Sequence, residues 1–132
     1  MANLDVTTRR ISPLSGAIIR TLIAAEAGSL GDAVLVSGND LAEPASAAAA
    51  GTAVARGVVV SAMRSGLGTE TFAAGDALSV VLVGPVTGYT GLTAGDDVFL
   101  SDTAGRLADE AGTVTKKMGF VVNAETIFVL PV

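Results

Sequence analysis

The chain has 132 residues with neither cysteine nor histidine, which rules out a disulfide framework and removes the thiolate and imidazole groups that most metal sites and general bases rely on. Half of the residues are apolar and only 16% are charged, against about 25% in ordinary soluble domains, so part of the apolar surface is expected to face a partner. A net charge of −5 argues against sequence-independent nucleic-acid binding, and the longest uncharged stretch, residues 77–95, is too broken by Gly84, Pro85, Gly88 and Gly91 to span a membrane as a helix.

Residues 1–15 lack sustained periodicity, and Pro13 disfavours helix at Ser12, so this segment reads as an extended N-terminal arm. It carries Arg9 and Arg10 against Asp5, leaving six basic and twelve acidic side chains in the remainder. Arg9-Arg10 ahead of an apolar stretch imitates a twin-arginine signal, but Pro13 and Arg20 interrupt the run that such a signal needs. The arm reads instead as an anchor: Thr8, Arg9 and Arg10 are expected to lie across an acidic or carbonyl-rich surface of a partner or sister subunit, while Ile11 and Leu14 give it something apolar to bury.

From Gly16 onward, short apolar runs alternate with Gly, Asp, Asn and Pro, the pattern of a single β-rich domain over residues 16–132. Strands are expected at 17–24, 33–37, 57–63, 77–83, 97–101, 118–122 and 126–130, with β-branched runs such as Val58-Val59-Val60 supporting them. A short helix is expected at 44–50, where Pro44 opens an alanine run.

An internal repeat organises the domain. Gly31-Asp32-Ala33-Val34-Leu35-Val36-Ser37 lies over Gly95-Asp96-Asp97-Val98-Phe99-Leu100-Ser101, Leu41-Ala42 over Leu107-Ala108, and Gly57-Val58-Val59-Val60 over Gly119-Phe120-Val121-Val122. Each copy opens on a structural turn, Gly31-Asp32 or Gly95-Asp96, and a third such turn, Gly75-Asp76, precedes the 77–83 strand. Two such units predict a mainly β fold, a small antiparallel barrel or sandwich.

No motif carries chemistry. Gly66-Leu67-Gly68 lacks the third glycine and the following helix of a dinucleotide loop, and Lys116 and Lys117 do not follow a Gly-rich phosphate loop. Asp96, Asp97 and Asp102 lack calcium-loop spacing, Asp109-Glu110 reads as a polar loop, and no serine sits in a nucleophile motif. The expectation is a non-enzymatic protein with no catalytic residues, no metal and no cofactor.

The stretch Gly91-Leu92-Thr93-Ala94-Gly95-Asp96, through Val98-Phe99-Leu100-Ser101-Asp102-Thr103-Ala104-Gly105 and Met118-Gly119-Phe120-Val121-Val122, to Ile127-Phe128-Val129-Leu130-Pro131 resembles tailed-bacteriophage capsid decoration, or cement, proteins. Residues 31–86 are similar in style, while residues 1–15 are not covered. The resemblance implies a structural protein, often a homotrimer, on the outer surface of the virion. It would be made in the bacterial host cytoplasm and would bind the major capsid protein so as to tie neighbouring capsomers together. The competing expectation is a small β-barrel module for a peptide or a carbohydrate, the latter disfavoured because Tyr89 is the only tyrosine and tryptophan is absent. Deleting residues 1–15 is expected to weaken attachment while leaving the β domain folded.

Overall fold

The computed structural model describes residues 3–6, 11–63 and 71–131. In chain order its strands are β1 Asp5–Val6, β2 Ser12–Pro13, β3 Ile18–Ala24, β4 Gly28–Ser29, β5 Ala33–Gly38, β6 Leu41–Pro44 and β7 Gly57–Met63. They continue with β8 Thr71–Phe72, β9 Ala77–Thr87, β10 Tyr89–Thr90, β11 Asp97–Leu100, β12 Leu107–Ala108, β13 Lys117–Asn123 and β14 Thr126–Val129. The seven expected segments are β3, β5, β7, β9, β11, β13 and β14. The described residues contain no helix.

Residues 44–50 are therefore a correction. Pro44 ends β6 and the rest is turn and irregular chain, because the buried alanines fall in two pairs spaced by two residues, Ala45 with Ala47 and Ala53 with Ala55, rather than at helical spacing. Their amides are also engaged elsewhere, Ala45 N–H donating to Ala33 O at 2.9 Å and Ala47 N–H to Ser101 O at 2.8 Å.

Pairing runs β9-β3-β6-β5-β7 and returns from β7 to β9, closing a five-stranded barrel. Leu22, Ala24, Val34, Ala42, Val59, Leu78 and Val80 point inward, and Phe72 joins them in one core cluster. Alternation sends Ala33, Leu35, Val58, Val60 and Val81 outward into a larger cluster shared with Leu100, Met118, Val121, Ile127 and Val129 of the second half. Val58-Val59-Val60 is continuously apolar because both faces of β7 are covered.

The eleven-residue β9 belongs to both halves. Its first part lies between β3 and β7, and its second part, from Gly84 to Thr87, lies between β14 and β2. The change occurs at Gly84, whose φ is +131° and where a Cβ would come within 2.5 Å of Ala17 Cα. Beyond β14 the second sheet continues through β13, β11 and β12.

The repeat seen in sequence is a repeat of hydrogen bonding. Ala33 pairs with Val58 and Val34 with Gly57 in the first half, as Asp97 pairs with Phe120 and Val98 with Gly119 in the second. The β7–β9 ladder (Val58↔Val81, Val59↔Val80, Ser61↔Ser79) matches the β13–β14 ladder (Phe120↔Phe128, Val121↔Ile127, Asn123↔Thr126), with the register shift at the same step. Gly57 and Gly119 open the equivalent strands for one reason: a Cβ at either would run into the carbonyl oxygen of Val81 or Phe128, respectively.

Gly31-Asp32, Gly75-Asp76 and Gly95-Asp96 are three copies of one turn. Gly φ is 90–94°, and the Asp N–H returns to the carbonyl three residues back at 3.1–3.2 Å, a type II geometry. Asp32 and Asp76 also accept a hydrogen bond from the amide three residues back, those of Ser29 and Ala73. Gly16-Ala17 and Gly105-Arg106 repeat the backbone pattern without the aspartate, and all five turns feed a strand.

The described parts of the N-terminal segment lie along the domain. Asp5 and Val6 pair with Thr90 and Tyr89, Ser12 and Pro13 pair with Thr87 and Val86, and Asn3 bridges to Ala108 while Leu4 N–H donates to Leu107 O at 2.8 Å. The segment thus links β10 to β12 around the second half. Thr8, Arg9 and Arg10 lie outside the described residues, as does Gly66-Leu67-Gly68. Ile11 is buried in this chain's own core together with Leu4, whereas Leu14 is exposed.

Removing residues 1–15 is accordingly expected to lower the melting temperature, since Ile11→Ala alone should cost about 2–5 kcal/mol. Gly119→Ala should cost at least about 2 kcal/mol through the collision with Phe128 O. Denaturant melts of both variants check this; unchanged midpoints would refute it.

Candidate interaction surfaces

Two solvent-facing apolar surfaces stand out. The first is the end of the barrel away from Phe72, where a cavity of about 380 Å³ is lined by Arg20, Leu22, Val36, Asp40, Arg56 and Leu82. Arg20, Leu22, Val36 and Leu82 keep the inward parity of their strands, so the cavity is the barrel mouth, a common ligand position in β-barrels. Arg20 donates to Asp40 Oδ1 at 3.1 Å across the rim in an exposed pair that adds little stability. Arg56 lies close enough to Lys116 to help lower that lysine's pKa, after the larger effect of burial.

The second surface is the outer face of the second sheet. Phe120 and Phe128, directly paired across β13 and β14, stack with ring centroids 5.3 Å apart. Phe120 is 39% exposed, Val122 45%, and Leu130 also reaches solvent. Asp97, the partner of Phe120 on β11, forms an exposed ion pair with Lys117 at 2.9 Å. Alternation along β13, with Val121 inward and Phe120 and Val122 outward, was the sequence signal for this face. The mouth had a weaker signal, a single arginine, Arg20, among the apolar residues of β3.

The structural turns differ in burial. Gly95-Asp96 is exposed, whereas Gly31-Asp32 is buried where the two halves meet. Burial pushes the Asp32 carboxyl up to about 6, against the opposing pull of the Ser29 N–H and the Arg106 guanidinium. Arg106 itself donates to Leu4 O at 2.7 Å and so ties the N-terminal segment to this point. The nearby Tyr89 hydroxyl is buried without a hydrogen-bond partner among the described residues, and burial followed by the Asp32 charge raises its pKa well above the usual phenol range.

The carboxylates weighed for calcium are otherwise engaged: Asp97 with Lys117, and Asp102 accepting from Thr113 N–H and Oγ1–H at 2.8 Å each. Among the described residues, no group of three metal-ligating side chains is placed to hold an ion. A scan against protein-family models and a search of curated proteins both return no match.

Because Asp32 holds its proton more tightly folded than unfolded, its contribution to stability is full below about pH 4 and is lost as pH rises through about 6. Asp32→Asn keeps an acceptor for the Ser29 amide. The wild type should therefore lose up to about 3 kcal/mol relative to this variant between pH 4 and 7; parallel stability–pH curves would show that the carboxyl titrates normally.

Proposed function

We propose that this chain is a non-enzymatic structural protein that binds the major capsid protein on the outer surface of a tailed-bacteriophage head, associates with itself as a homotrimer, and clamps neighbouring capsomers. The sequence resemblance to capsid decoration proteins motivates the reading. The observation that supports it best is the pair of separate apolar surfaces, the barrel mouth and the Phe120–Phe128 face, on one small scaffold whose strands are largely paired to one another. A protein that bridges subunits needs more than one contact surface, and each additional contact becomes effectively intramolecular once the first is made. A rigid β body suits this role because little conformational entropy is lost on docking.

A second reading, a β-barrel module that takes a peptide in its mouth, draws on the same cavity and on the arginines at its rim. It predicts one binding surface and leaves the Phe120–Phe128 face without a role.

Antibodies to the protein are expected to label the outside of intact heads purified from the virus that encodes it, and heads lacking it should rupture at lower temperature. Absence of the protein from purified particles would overturn the capsid reading. Saturable binding of peptides to the isolated monomer would favour the second.

A further inference from the structure

The two halves expose complementary parts of the same design. The register equivalence maps Val36, Arg56 and Leu82 at the first half's mouth onto Leu100, Met118 and Val129 in the second. It likewise maps Ala33, Val58, Val60 and Val81 on the first half's flank onto Asp97, Phe120, Val122 and Phe128. Within the chain, the second mouth and the first flank are both covered: all seven of their residues are at most 4% exposed and share one core cluster. Backbone hydrogen bonds stitch the tip of the β11–β12 hairpin to the first half's flank, with Ala33 N–H to Gly105 O at 2.8 Å, Gly105 N–H to Ala45 O at 2.7 Å and Ala47 N–H to Ser101 O at 2.8 Å.

The remaining mouth and the remaining flank are both open. Val36 is 47% exposed where Leu100 is buried, and Phe120 and Val122 are exposed where Val58 and Val60 are buried. We propose that a second copy of this chain seats its Phe120–Val122–Phe128 face on the barrel mouth bounded by Arg20, Val36, Arg56 and Leu82, repeating between chains the contact its two halves make within one.

Charge fits this occupant. Arg56 stands where the sealed mouth has Met118, and it makes no ion pair among the described residues. The incoming face brings Asp96, which is exposed, beside Asp97, which stands where the sealed flank has Ala33 and is paired with Lys117 of its own chain. Such a contact is heterologous: each chain offers one mouth and one face, so successive copies join head to tail, and a homotrimer forms when the rotation between neighbours closes the ring.

The inference rests on the self-association in the proposed function and specifies its surfaces. Its test uses light scattering on the full chain and two variants whose changes lie at exposed positions: a face variant, Phe120→Glu with Val122→Glu, and a mouth variant, Val36→Glu with Arg56→Glu. The wild type is expected to be an oligomer and each variant a monomer. An equimolar mixture of the variants should form a heterodimer, because it retains one intact mouth and one intact face; that dimer also proves both variants folded. If the glutamates disturb folding, as circular dichroism would reveal, Phe120→Ser and Val36→Thr replace them with the same expectations. A monomeric wild type, a variant with wild-type mass, or a mixture of folded variants that stays monomeric would each overturn the proposal. An intact oligomer that is absent from heads would sink the capsid reading alone, and a monomeric wild type that decorates heads would sink this one alone.

Discussion

Strand β9 is paired on both edges along its length, and the rest of the molecule depends on that constraint. A strand that serves two sheets must bury apolar side chains on both faces where the halves meet, and it must turn its face at the crossing point. Val80-Val81 meets the first requirement and Gly84 the second. The barrel and the second sheet therefore cannot separate without breaking a shared backbone ladder, which makes them one domain rather than two beads on a string.

Duplication gives the chain its economy and its asymmetry. The same ladders, register shifts and close-approach glycines recur in both halves, yet the halves sit in different surroundings. One half spends its flank, and the other its mouth, on the internal contact. Of these equivalent surfaces one mouth and one flank stay exposed, and they differ in composition from their covered counterparts: arginine at the mouth, and aspartate and phenylalanine on the flank. The proposed head-to-tail partner would account for both differences at once, whereas a solvated surface accounts for the charges but not for the paired phenylalanines.

The interior polar group follows from the same geometry. Asp32 belongs to a turn that elsewhere faces water, as Asp96 does in the second copy. Packing the halves together buries the first copy beside Gly105, Arg106 and Tyr89, so a residue chosen for turn chemistry becomes a titrating group at the junction. The N-terminal segment is tied to this junction by the Arg106 hydrogen bond to Leu4 O, and Ile11 is buried in the same core cluster as Leu4.

Local chemistry made much of the fold legible. Alternating β-branched runs announced seven strands, Gly-Asp pairs announced their turns, and the matched runs 31–37 and 95–101 announced the duplication. These signals depend on near neighbours in the chain, and a single sequence records them directly. The alanine run at 44–50 misled because helix propensity is weak against tertiary packing, and its amides are taken by distant carbonyls. The interaction surfaces were hardest to see. Phe120 and Val58 occupy equivalent positions in equivalent strands, and which of them is exposed depends on which half covers which. The sequence by itself determined strands, turns and a twofold repeat; only the tertiary structure decided barrel closure, the inward course of Ile11 and the two surfaces left open, because each of these depends on contacts between residues far apart in the chain.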